Sequence, residues 1–295
     1  MAENRVVFHG GWQTVLGFAA AFSIVTAIWV PLTTTVSDLS AWIQLATAIG
    51  KYAAIIGSVW ILLRIDGVQF SELGLSRDHL VGALVAFGGF WVAMNLFGLG
   101  TAVLTGNHWA IRLIWQLPEA APAVQRYAPL PATWLVLLLL EFLVVGPVEE
   151  IAFRGYFQSK IIALLSDDTL PYLALGIGVT SLAFGVMHTP AAIVAGRSLD
   201  GILGAALLPT ITAVFFGVIY ELTRNVYFVA LLHAFGNSWP LVIEWANWSG
   251  DALLVFWIGA GIIYLGTTLA YRYWIAESDN TFSITRTEAE RTPGG

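Results

Sequence analysis

The chain has 295 residues, of which 58% are hydrophobic and 11% charged, with a formal net charge of −6 and a mean hydropathy of +0.77. Soluble domains carry about 25% charged residues, so this composition excludes a water-soluble globular enzyme, and its apolar excess excludes a disordered chain. The lack of cysteine removes disulfide frameworks, thiol nucleophiles and cysteine-based metal sites. No basic patch points to nucleic acid, and thirteen Trp, nine Tyr and seventeen Phe suit membrane interfaces.

A bilayer-crossing helix needs about 20 mainly apolar residues. Eight stretches qualify: 12–36, 41–63, 80–104, 132–165, 171–195, 201–222, 225–247 and 252–275. They predict an all-α, polytopic membrane protein of about eight transmembrane helices. A single integral domain is expected over 1–275, followed by a polar and mobile tail over 276–295. The first stretch is too long and starts too late for a cleaved signal peptide. The Pro-containing segment 105–131 reads as a surface loop or interfacial piece. With the N-terminus in the cytoplasm, nine basic residues fall on the cytoplasmic side (Arg5, Arg64, Arg77, Arg154, Lys160, Arg224, Arg272, Arg286 and Arg291). Three fall outside (Arg112, Arg126 and Arg197). This bias predicts cytoplasmic termini.

Ionisable groups inside spans cost roughly 2.5–3.5 kcal/mol on insertion scales, so each is a functional candidate or a paired charge. In Glu149-Glu150-Ile151-Ala152-Phe153-Arg154, Glu150 and Arg154 stand at i and i+4 with the acid first, the favourable order for a helical ion pair. That pair leaves Glu149 free. Glu149 is then either a solvated charge at a helix end or a buried carboxylate suited to general-base work. In Phe184-Gly185-Val186-Met187-His188-Thr189-Pro190, Phe184 and His188 share a face, Gly185 permits close helix approach, and Pro190 frees a carbonyl one turn back. In His233-Ala234-Phe235-Gly236-Asn237, His233 and Asn237 share a face. They read as interhelical glue or as two donors aimed at one developing negative charge.

The three motifs in this order resemble the CAAX protease and bacteriocin-processing (CPBP) family of intramembrane proteases, with the family core at about 132–250. Phe70-Ser71-Glu72-Leu73-Gly74-Leu75 also resembles a family leader. The resemblance implies eight membrane helices and an endopeptidase acting on a membrane-associated or lipidated peptide. It implies that Glu149 activates a water with help from His188, that His233 and Asn237 form the oxyanion hole, and that Glu150 and Arg154 hold the first motif in place, beside Phe184. A metal-free mechanism is favoured. If zinc is used, Glu149, His188 and His233 are its ligands, with a fourth position open; the helical His-Glu-x-x-His motif is absent. The expected home is the plasma membrane of a prokaryote. The competing reading is a non-catalytic protein of the same fold, a scaffold or an immunity protein against a peptide toxin; a transporter is a weaker third.

For these residues to meet, the fourth helix must run on to about residue 165. Glu149, His188 and Asn237 then lie roughly 24, 25 and 18 Å from the cytoplasmic ends of their helices, with Pro147 offering a bend and the cavity open to the cytoplasm. Arg154 and Lys160 are expected to line that cavity or to snorkel. Lys51 is expected to pair with Glu141, and Glu221 with Arg224. Glu244 is expected as a rim charge, and His9, His79 and His108 as peripheral.

Overall fold

The computed structural model describes residues 5–107, 133–165, 170–243, 248, 250–275 and 285–288. A short strand β1 (Arg5–Phe8) leads into α1 (Gly11–Thr35) and α2 (Ala41–Asp66). A 3₁₀ turn at Phe70–Leu73 precedes α3 (Arg77–Thr105), which Ser76 caps by accepting the His79 backbone N–H. The next helix, α4, is continuous over 133–165 but changes pitch along its length. Thr133–Leu140, Gly146–Glu150 and Ser159–Leu165 are α-helical, while Glu141–Val145 and Ile151–Gln158 are π-helical. Pro147 has no N–H to give the carbonyl one turn back, and the first wide turn lies directly ahead of it. Then come α5 (Leu170–Val186), α6 (Thr189–Val194), α7 (Leu199–Thr223), α8 (Val226–Ser238) and α9 (Gly250–Ala270), the last extended by a π turn at Tyr271–Ile275.

Six helical stretches among the described residues are long and apolar enough to cross a membrane: Gly11–Thr35, Ala41–Asp66, Phe70–Thr105, Leu170–Val194, Leu199–Thr223 and Gly250–Ile275. Val226–Ser238 is apolar but shorter, and α4 is the composite helix the sequence requires. The chain is an all-α polytopic integral membrane protein. Two expected spans differ in detail. The stretch 171–195 is interrupted at Met187 and His188. The stretch 225–247 leaves the helix at Trp239, which sits at φ 46° just before Pro240, because the residue before a proline is pushed out of the helical region. Glu244, His108 and the 108–131 part of the expected loop lie outside the described residues.

Within the expected tail, β2 (Thr285–Glu288) pairs in parallel with β1. This pairing brings the two ends of the described chain to the same side of the bundle. On that side the carboxylate of Asp66 accepts from Gly10 N (2.7 Å), Thr14 Oγ1 (3.2 Å), Tyr156 OH (2.8 Å) and Lys160 Nζ (3.0 Å). Asp66 and Lys160 are fully buried. Lys160 therefore neither lines a cavity nor snorkels, as the sequence suggested. Its charge is met by a carboxylate three residues past the expected end of the second span. The contact joins α1, α2 and α4.

The apolar interior has two parts. One packs Phe18, Val59, Leu63, Phe153 and Phe157 between α1, α2 and α4, with Phe18 stacked on Phe157 at 4.5 Å. The other packs Phe90, Met94, Phe228, Phe235 and Phe256 between α3, α8 and α9. Ile151 of α4 touches both, so the Glu149–Glu150 turn stands between them. Two glycines allow the close contacts that fix this placement. A Cβ on Gly146 would lie 2.8 Å from the Ala230 carbonyl oxygen of α8, and one on Gly185 would collide with Thr210 and the Ala206 carbonyl of α7.

Candidate active site

Glu149 and Glu150 are adjacent on α4 and point about 100° apart, so they meet different partners. Glu150 is fully buried. Its Oε1 lies 2.5 Å from His233 Nδ1, and its Oε2 lies 3.1 Å from Arg154 Nε. The expected i, i+4 pair is thus present, as an ion pair rather than an aligned hydrogen bond, and Glu150 bridges it to α8. Arg154 does not line the cavity, contrary to expectation. It is 2% exposed, donates Nη2 to the Ala213 carbonyl at 3.2 Å and lies 4.8 Å from the centre of the Phe184 ring. A guanidinium over an aromatic face is favourable, and more so when desolvated.

Glu149 is partly exposed, at 12%, and faces a cavity. Its Oε1 accepts from Tyr52 OH of α2 at 3.1 Å, and its Oε2 lies 3.8 Å from His233 Nε2. The His233 ring is stacked on Phe216 at 5.2 Å and 20°. Because a carboxylate only accepts, His233 Nδ1 carries the proton shared with Glu150, and Nε2 is the nitrogen turned toward Glu149.

The break between α5 and α6 places His188. Pro190 cannot donate to the Val186 carbonyl, and the Thr189 hydroxyl takes that acceptor instead, at 2.8 Å. The His188 backbone N–H bonds one residue short, to Gly185. The Phe184 carbonyl is left to the His188 ring, with Nδ1 at 2.7 Å. A carbonyl only accepts, so Nδ1 carries hydrogen and the lone pair of the neutral ring lies on Nε2. Asn237, one turn beyond His233, donates Nδ2 to Glu141 Oε2 at 2.9 Å. This fixes which end of its amide is nitrogen and leaves one N–H for another acceptor. Glu141 therefore serves Asn237 and not Lys51, whose ammonium lies over the Tyr52 ring at 4.9 Å.

Glu149, His188, His233 and Asn237, together with Tyr52 and Phe184, line one cavity of about 830 Å³ whose remaining wall is mostly apolar. The structure brings together the four residues singled out as a reacting set and places Glu150 and Arg154 directly behind them. The exposed part of the rim lies at mid-helix on α7 and α9, where Leu208, Ile211 and Trp257 are 67%, 57% and 46% exposed. An apolar stretch of the outer helix surface therefore borders the cavity at mid-helix. Among the described residues no group of three histidine or acidic side chains is arranged as a metal site.

Sequence reasoning missed Tyr52 and the role of Glu141. A hydroxyl and a carboxylate in mid-span were the available signals. The pairing of Glu221 with Arg224 was legible and is present at 2.8 Å. His79 is buried at 4% exposure, not peripheral.

Residues 131–239 match the family described as "Type II CAAX prenyl endopeptidase Rce1-like". No curated protein matches the chain, and no solved structure does. The matched segment, somewhat over a third of the chain, contains Glu149, Glu150, Arg154, Phe184, His188, His233 and Asn237, so the polar residues singled out above lie in the part that is similar to the family, and the match supports membership of the CPBP family.

Proposed function

We propose that the protein is an intramembrane endopeptidase that hydrolyses a peptide bond in a membrane-associated or lipidated peptide, with Glu149 activating the water. The observation that carries this reading is the convergence of Glu149, His188, His233 and Asn237, from α4, the α5–α6 break and α8, on one apolar cavity. A buried polar cluster in hydrocarbon is costly, and its presence there points to a function. The apolar surface bordering the cavity suits a substrate that arrives through lipid, and the family's printed description concerns prenyl substrates.

In the proposed reaction Glu149 takes a proton from water as the water oxygen adds to the scissile carbonyl carbon. His188 Nε2 accepts from the same water and orients it. The developing oxyanion takes the second Nδ2–H of Asn237 and an Nε2–H of His233. With both His233 nitrogens donating, the charges of Glu149, Glu150, Arg154 and His233 sum to zero, which suits a low-dielectric interior. The tetrahedral adduct then collapses, the C–N bond breaks, and the leaving amine takes its proton from Glu149. The bias of basic residues supports a cytoplasmic place for the side holding β1, β2 and Lys160, in what we read as a prokaryotic plasma membrane.

The test is comparative proteomics of membranes from cells carrying wild type or Glu149→Ala. A defined precursor accumulating only with the variant supports the proposal. Identical membrane peptide profiles refute it and favour a non-catalytic role.

A further inference from the structure

Of the residues lining the cavity, all but one come from α4 and the helices after it; the exception is Tyr52, near the middle of α2. It lies outside the segment 131–239 that matches the family. Its hydroxyl donates to Glu149 Oε1 at 3.1 Å, and its side chain is 9% exposed. The ring is held from behind by the Lys51 ammonium, 4.9 Å from its centre.

Glu149 has two oxygens and two neighbours. Tyr52 takes Oε1, so Oε2 is the oxygen left near His233 Nε2, at 3.8 Å. A carboxylate on a two-carbon stem has several rotamers. Without the Tyr52 bond, either oxygen can turn toward the imidazole, and the Glu149 side chain can rotate to pair with it more closely. Such a pair removes the base from the water. The phenol O–H is a donor that reaches the carboxylate without carrying a charge of its own. It therefore orders Glu149 while leaving its negative charge available, which a lysine in the same place would neutralise.

We propose that Tyr52 is a positioning residue that fixes the rotamer of Glu149 and reserves Oε2 for the reacting water. The proposal rests on the proteolytic reading of the same cavity. It makes the N-terminal helices part of the active site as well as its support.

Tyr52→Phe removes one oxygen and keeps the ring in place. The first readout needs no substrate. In infrared spectra of the full-length protein in detergent, the carboxylate band that disappears in Glu149→Gln belongs to Glu149, and that band shifts in Tyr52→Phe. A band unmoved by Tyr52→Phe overturns the proposal. The second readout is turnover of a fluorogenic farnesylated peptide by reconstituted protein. The expected result is a kcat lower by about tenfold to a hundredfold, part of the 10²–10⁴ that a positioned base supplies, with KM and melting temperature unchanged. An unchanged kcat also overturns it, as does a loss of kcat that tracks a loss of folded protein. If Glu149→Gln cleaves as well as wild type, the proteolytic reading fails. If Glu149→Gln is inactive and Tyr52→Phe is normal, only the role of Tyr52 fails.

Discussion

Lys160 is the most completely buried cation in the described structure, and its replacement by methionine tests the packing account. Its ammonium lies 3.0 Å from Asp66 Oδ1, with both side chains at 0% exposure. Methionine keeps the apolar stem but loses the ammonium, which also lies 5.1 Å from the centre of the Phe8 ring, and leaves the Asp66 charge without its counter-ion. Removing one member of a buried pair typically costs 3–5 kcal/mol. Asp66 retains the N–H of Gly10 and the hydroxyls of Thr14 and Tyr156, so the expected loss is near the lower end, about 3 kcal/mol. The second variant, Lys160→Met with Asp66→Asn, removes both charges. It keeps an amide oxygen for those donors and should recover most of the loss, since replacing a buried pair outright is often neutral. Thermal unfolding in a mild detergent, followed by circular dichroism, reads both variants. The single variant should melt several degrees below wild type and the double variant close to it. A single variant that melts with wild type, or a double variant worse than the single, would refute the account.

Arg154→Ala leaves Glu150 buried with only His233, and the yield and melting temperature of folded protein should both fall; equal values for variant and wild type would contradict this. Asn237→Ala should retain some turnover, since one lost oxyanion donor costs about 10²–10³ in rate. Glu141→Ala, which frees the Asn237 amide to flip, should lower kcat by less than that and leave KM in place, as steady-state kinetics would show. In the metal-free reading, activity survives prolonged chelation; if the chelator abolishes it and added zinc alone restores it, with one zinc per chain by elemental analysis, Glu149, His188 and His233 become ligands.

The membrane helices were legible because long apolar runs bounded by charge leave few alternatives. The need for a helix over 133–165 followed from requiring Glu149 and His188 to share a depth, and α4 has that length. What sequence periodicity cannot carry is the partner of a buried charge. Asp66 falls beyond the second expected span, which hydropathy ends at 63, whereas α2 runs on to Asp66, where Lys160 lies beside it. Glu141 was given to Lys51 because their depths agree, but depth says nothing of direction, and Glu141 reaches Asn237. Tyr52 carried no motif; only the packing of α2 against α4 reveals that its hydroxyl meets Glu149. The wide turns of α4 follow in part from Pro147, and their length does not follow from any residue pattern.

The central claim is that Glu149 activates water against a peptide bond inside this cavity. Its most direct test is to purify wild type and Glu149→Gln, reconstitute each in liposomes with the precursor that accumulates in Glu149→Ala membranes, and follow the new peptide terminus by mass spectrometry. Glutamine keeps the shape and loses the base. The account predicts that wild type releases the fragment and that Glu149→Gln binds the precursor without cutting it; release of the same fragment at the wild-type rate by Glu149→Gln would contradict it.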